Sequence, residues 1–263
     1  MALLVLAVLG IFTIRACLQP GESALNRGRL LLALHQPIPA GRAFQRYLAI
    51  EGDSVGSLAE VGDAYLEARH WSEAARCFEP VVRKEPRHGA RLFLALCYEK
   101  LHRDREAEQL YREGVALNPS DPYSLNGLGY FYAQRGIRLQ EALLLLHRAL
   151  DLDPQAGGIL DSLGWALYQR DDVAAALPQL TAASERIPSS GEIRYHLGMA
   201  LARSGLRDRA LVELGKAVIL EPDLTGAREA LALVRAGRRP PVPAPLERVG
   251  EHDHRSAKGN QRE

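Results

Sequence analysis

The sequence predicts an all-α fold: a right-handed superhelical solenoid of about six helix-turn-helix units with a C-terminal capping helix. Three observations predict it. A small residue behind an apolar one recurs as Gly62, Ala95, Gly129, Gly164 and Gly198, at spacings of 33, 34, 35 and 34. Alanine recurs as Ala74, Ala107, Ala142, Ala176 and Ala210, and proline as Pro86, Pro119, Pro154, Pro188 and Pro222, both spaced 33, 35, 34 and 34. Three residue types holding one register over five units mark an internal repeat rather than a coincidence.

Each marker has a physical reason. A Gly or Ala in the first helix of a unit lets the second helix approach closely, and the alanine opposite plays the same part from the other side. The proline lacks an N–H and clashes with the preceding turn, so it stops the second helix and starts the link to the next unit. Between markers, apolar residues recur at three and four, as a buried helix face requires. Gly136 and Gly205 fall where first helices should end. The unit at 122–156 carries one extra residue near Ile137–Leu139, in its inter-helix turn.

These features resemble the tetratricopeptide repeat family. Leu58, Val61-Gly62, Tyr65, Ala74, Phe78 and Pro86 follow its signature in order, as do Leu160, Leu163-Gly164, Leu167, Ala176, Leu180 and Pro188, with Leu in place of Tyr. In this register the array covers residues 21–236. A degenerate unit at 21–54, marked by Gly28, Ala40 and Phe44, precedes repeats at 55–87, 88–121, 122–156, 157–190 and 191–224, and a capping helix at 225–236 closes it. Trp71, in an inter-helix turn, reads as structural.

The resemblance implies a binding module whose first helices line a groove for a protein or peptide. Carried over by register, the groove positions are Tyr123, Asn126, Tyr130 and Gln134, then Asp161, Trp165, Tyr168 and Gln169, then Glu192, Tyr195, Met199 and Arg203. Aromatic side chains offer large rigid contact area and dominate binding energy, and Asn126 can donate to and accept from a peptide backbone. For Trp165 and Tyr130 a second reading stays open, in which they pack between neighbouring first helices. Family members that clamp a C-terminal carboxylate need Lys, Asn and Arg in the groove. Gly56, Ala59, Asp63, Leu66, Leu92 and Leu96 stand at those places here, with Lys100 and Arg203 isolated, so no such clamp is expected.

Composition narrows the class of function. Hydrophobic residues make up 47% and aromatics only 6%, a balance that suits a folded protein built from helix formers rather than strands. A net charge of +1, from 33 Lys+Arg against 32 Asp+Glu, lacks the clustered positive charge that nucleic acid requires. Cys17, Cys77 and Cys97 are too few and too irregular for a disulfide framework or a zinc site, and Cys77 and Cys97 read as small buried hydrophobes. No nucleophile elbow, phosphate loop or metal spacing occurs. His35, His70 and His102 lie near inter-helix turns, and the His252-x-His254 pair is a weak metal signal. The expectation is a scaffold or adaptor with no enzyme activity, no cofactor and no metal. Self-assembly into a homo-oligomer, or service as the accessory subunit of an envelope enzyme such as a glycosyltransferase or protease, are the alternatives.

The ends differ from the array. Met1–Ile14 carries no charge, and Arg15 ends the run. Fourteen helical residues reach about 21 Å against a hydrocarbon core of ~30 Å. Residues 1–17 therefore read as a short membrane anchor, a secretory signal, or a lipoprotein signal with Cys17 as the modified residue, since Ile14-Arg15-Ala16-Cys17 resembles a lipobox; a buried first helix is the fourth reading. Membrane association of a bacterial envelope protein is the expectation, with export to the periplasm as the alternative. Residues 237–263 open with Arg238-Arg239-Pro240-Pro241-Val242-Pro243-Ala244-Pro245 and read as a flexible tail, or as a proline-rich ligand for another module.

Overall fold

A residue before proline is pushed out of the α region, and this restriction shapes most of the links that follow a second helix. The computed structural model describes residues 20–85 and 89–242. The anchor or signal expected at 1–17, Cys17, Pro86, His252, His254 and the tail beyond residue 242 lie outside the described residues. All regular elements among the described residues are helices, arranged as successive pairs.

The pairs are α1 (Pro20–Ala33) with α2 (Pro37–Glu51), α3 (Val55–Glu67) with α4 (Trp71–Lys84), α5 (Ala90–Lys100) with α6 (Asp104–Leu117), α7 (Pro122–Gln134) with α8 (Leu139–Leu152), α9 (Gly157–Gln169) with α10 (Val173–Arg186), and α11 (Gly191–Arg203) with α12 (Arg207–Leu220). A last helix, α13 (Ala227–Arg235), packs against α11 and α12. The chain divides into an N-terminal unit ending at Pro119 and a C-terminal unit beginning at Ser120.

The second helices after α2 end alike, whereas α2 itself ends at Gly52, φ 78°. Glu85, Asn118, Asp153, Ile187 and Glu221 all precede prolines, and all take φ between −126° and −139° with ψ between 71° and 85°. First helices end alike in a different way. His35, Arg69, His102, Gly136, Asp171 and Gly205 have φ between 55° and 85°. Each donates its N–H to the carbonyl three residues back, and the next residue donates to the carbonyl five back, as in Asp171 to Tyr168 and Asp172 to Leu167. This double bond satisfies carbonyls that the helix end would otherwise orphan. Glycine was expected at two of these sites. At the other four a His, Arg or Asp accepts the left-handed conformation, at a cost of roughly 1–2 kcal/mol each. The extra residue of the fourth pair shows as a second such position, Arg138 at φ 47°.

The markers meet inside the pairs. A Cβ placed on Gly28 would overlap the Phe44 ring, and one on Gly62 the Phe78 ring. In the C-terminal unit the partners are Leu146 for Gly129, Leu180 for Gly164 and Leu214 for Gly198, and there the second helix's backbone also lies close, at 3.1 Å to 3.2 Å. Ala40, Ala74, Ala95, Ala107, Ala142, Ala176 and Ala210 are wholly buried.

Two helices contain a proline in their interior, Pro80 in α4 and Pro178 in α10. Both face outward or sit half-buried, so the interruption falls on the side away from the packing. The start of the expected flexible tail also differs from the reading. Gly237, at φ 72°, closes α13 with the same double bond, through Val234 and Leu233. The chain then turns back, so that Pro240 is buried and Val242 packs on the C-terminal core. An apolar proline segment gains by covering apolar surface, which holds 238–242 against the unit.

Candidate partner-binding site

The first helices of the C-terminal unit, α7, α9 and α11, carry the residues that register assigns to a groove. Each helix starts with a side chain or backbone able to receive its first N–H groups: Asp121 caps α7 through Tyr123 and Ser124, and Ser190 caps α11 through Ile193. These caps fix where the groove positions point.

The structure sorts those positions into two layers. Tyr123 is exposed, and Asn126, Tyr130, Gln134, Gln169, Glu192, Tyr195 and Arg203 are half-buried. Asp161, Trp165, Tyr168 and Met199 are buried, Trp165 at 3% exposure and Tyr168 at 0%. Trp165 is stacked between Tyr168, at 5.0 Å between ring centroids, and His196, at 4.1 Å. Tyr195 lies 6.1 Å from Trp165 and closes its remaining side.

His196 is the residue that sequence reasoning missed. Its Nδ1 lies 2.9 Å and 3.0 Å from the two carboxylate oxygens of Asp161, and both residues are buried. Burial pushes the Asp161 carboxyl above its ordinary range, against the opposing pull of His196. For His196, burial alone would lower its proton affinity, but the adjacent Asp161 carboxylate and Glu192 hold it above the ordinary value of 6.5. Tyr130 spans two repeats to donate its hydroxyl hydrogen to Glu192, and its ring lies 6.3 Å from His196. The available signal was the pairing of an acid on one first helix with a basic residue one register further on.

Four polar atoms on α7 and α9 make no hydrogen bond although they are buried: Asn126 Oδ1, Trp165 Nε1, the Tyr168 hydroxyl and Gln169 Nε2. Leaving such a group unsatisfied costs about 1–3 kcal/mol. Burial also pushes the Tyr168 phenol up to about 12. Trp165, Tyr168 and Gln169 sit at i, i+3 and i+4, one face of a helix. Arg203 pairs with Asp171 at 2.7 Å at the rim. Among the described residues no group of three or more His, Cys, Asp or Glu could hold a metal, and no helix is long and apolar enough to cross a membrane. Cys77 and Cys97 are free thiols, and burial pushes them up to about 11 and about 12.

The tetratricopeptide repeat family model matches residues 61–122, 100–157 and 162–226. The chain belongs to the tetratricopeptide repeat family. It is 37% identical over 100 residues to a TPR repeat-containing protein of Pseudomonas aeruginosa; that match spans 38% of this chain but only 17% of the relative's length. The fold is similar to that of a thermophilic TPR protein of Thermus thermophilus, with a TM-score of 0.60 and 22% identity, covering 70% of this chain and all of that one. It is similar also to a tetratricopeptide repeat protein of Parabacteroides merdae, with a TM-score of 0.65 and 15% identity, covering 82% and 84%. Tetratricopeptide repeats mediate protein–protein interaction and complex assembly, and their fold family is typically non-catalytic.

Proposed function

We propose that the chain is a scaffold that holds a partner protein or peptide against the first-helix face of its C-terminal unit, helping to assemble or localise a complex. The observation that carries this is the polar inventory of that face. Asn126, Trp165, Tyr168 and Gln169 each keep a hydrogen-bonding atom without a partner, and Tyr123, Tyr130, Tyr195 and Arg203 stand around them with surface to offer. An extended peptide supplies both a donor and an acceptor at every residue, which suits the hydroxyl, amide and guanidinium groups of the partly exposed Tyr123, Tyr130, Gln134, Tyr195 and Arg203. The exposed Tyr123 and the half-buried Asn126 and Arg203 are the contacts assigned to it first, with the buried Asp161, Trp165, Tyr168 and Met199 forming the floor.

The test compares the full chain with a Tyr123→Ala, Asn126→Ala, Arg203→Ala variant in capture from a native membrane extract. A true hot-spot set loses ~2 kcal/mol or more per residue, so the variant should lose its bound protein, while Ile219→Ala, on an exposed position of α12, keeps it. Equal capture by both variants removes this face from consideration. The uncharged run Met1–Ile14 further supports tethering of the scaffold to a membrane. Removal of residues 1–17 should then release the chain from the membrane fraction on sedimentation.

A further inference from the structure

The centre of the C-terminal unit's first-helix face holds two carboxylates and one imidazole. Asp161 on α9 binds His196 Nδ1 through both oxygens. Glu192, one helical turn before His196 on α11, also acts on its proton and receives the Tyr130 hydroxyl from α7. A protonated His196 places an imidazolium between these two acids; without that proton nothing separates them, in a place where Asp161 and His196 have almost no contact with water. Two like charges facing each other in a poorly solvated site repel strongly.

Other elements around His196 do not supply a substitute cation. On α9 the neighbouring ring is Trp165, and on α7 it is Tyr130. On α11 itself Tyr195 lies 5.7 Å away, and Arg203 is paired with Asp171. From α10, Arg186 bonds Gln155. From α12, Glu213 is held by Arg194 and Lys216, and from α13, Glu229 acts on Tyr195.

We propose that the proton on His196 is a latch: it holds Asp161 and Glu192 together, keeps Tyr130 and the Trp165 floor packed tightly on the first-helix face, and, when it departs to solvent, opens that face to a partner. The proposal rests on the partner-binding reading for its biological use, but the latch itself needs no partner to be seen. Closure explains why the polar atoms of Trp165 and Tyr168 are both unpartnered and inaccessible. The Asp161–His196 contact and the Tyr130–Glu192 bond lie beside these buried atoms and offset the cost of burying them.

Trp165 reports on the latch directly, because a protonated imidazole stacked on an indole quenches its fluorescence. The chain has two tryptophans, so the full-length Trp71→Phe variant isolates Trp165. Its emission, followed from about pH 5 to about pH 10, should rise with a single midpoint above about 6.5, the value for an unperturbed histidine. Acrylamide should quench Trp165 more strongly above the midpoint than below it. Glu192→Gln, at a half-buried site, should retain its far-ultraviolet circular dichroism and lower the midpoint by about half a pH unit or more. His196→Gln should abolish the titration. A flat profile, a midpoint at or below the ordinary value, an unshifted midpoint in Glu192→Gln, or unchanged acrylamide access overturns the latch. Capture of a partner equally well on both sides of the midpoint also overturns it and leaves the scaffold reading intact. A latch that titrates and opens in a chain that captures nothing leaves the latch and removes the scaffold reading.

Discussion

The two units use the same repeat with different fillings. In the N-terminal unit the small residues of the first helices face aromatic rings: Gly28 meets Phe44 and Gly62 meets Phe78. Its polar contacts include phenols bonded to acids, as in Tyr98 to Glu79 at 2.9 Å and Tyr111 to Glu99 at 3.0 Å, together with an ion pair between the buried Arg91 and Glu113. In the C-terminal unit Gly129, Gly164 and Gly198 face leucines and second-helix backbone, and the polar centre is an ion pair under stacked aromatics. A ring fills the space beside a glycine with a rigid plane, whereas a leucine fills it with a branched chain next to second-helix backbone. With leucines filling the space inside its pairs, the second unit gathers its aromatics on the first-helix face instead, where Tyr130, Trp165 and Tyr195 surround His196.

The largest break in this contrast should come from Trp165→Ala. Removing a buried indole costs about 3–5 kcal/mol, so thermal melting of the C-terminal unit should drop sharply, while Trp71→Ala, at a half-buried helix start, should drop it much less. Next in size are the interior prolines, one in each unit. Pro178→Ala and Pro80→Ala should each stabilise by up to about 3 kcal/mol in chemical denaturation, and by similar amounts if the two units share one backbone and differ only in filling. Gly164→Ala and Gly198→Ala should destabilise by about 1–3 kcal/mol, because their Cβ would press on backbone. Gly62→Ala, whose nearest neighbours are atoms of the Phe78 ring, should cost less, and equal losses would erase the distinction drawn above.

Smaller effects follow from protons and turns. Because Asp161 holds the His196 imidazole above its ordinary value of 6.5, the native state binds more protons than the unfolded one across the window above that value. The stabilisation is therefore complete below pH 6.5 and is lost as pH rises through the shifted value. Denaturation of Asp161→Asn should lose that slope, and the slope should be centred in the C-terminal unit. The smallest effect belongs to the turns. Arg69→Gly or His102→Gly removes a left-handed strain of roughly 1–2 kcal/mol but frees the unfolded chain, leaving a net gain of about half that in calorimetry.

Much of the fold was legible because its determinants are local. Prolines at fixed intervals, small residues behind Leu or Val, and Gly136 and Gly205 at helix ends each act through the backbone of their own neighbourhood. The four left-handed turns at His35, Arg69, His102 and Asp171 were not legible, because the double hydrogen bond at a helix end outweighs the residue's own preference. On the site, the register brought Tyr130, Trp165, Tyr168 and Tyr195 to one face. It did not reveal depth: Trp165, Tyr168 and Met199 are buried because α9 and α11 approach closely, a fact of tertiary packing. His196 was missed for the same reason. Its partner lies 35 residues away, and only the spacing of neighbouring first helices brings Nδ1 onto the carboxylate.

The identical pre-proline joints carry a consequence for how such a chain can change length. Asp153, Ile187 and Glu221 adopt almost the same dihedral angles, so they behave as interchangeable couplings. Excising everything from Pro154 to Ile187 would join Asp153 to Pro188 through a coupling of unaltered geometry, and duplicating that stretch would do the same in reverse. Gene rearrangements that respect this period can shorten or lengthen the protein as one adds or removes carriages from a train, without any new joint having to evolve.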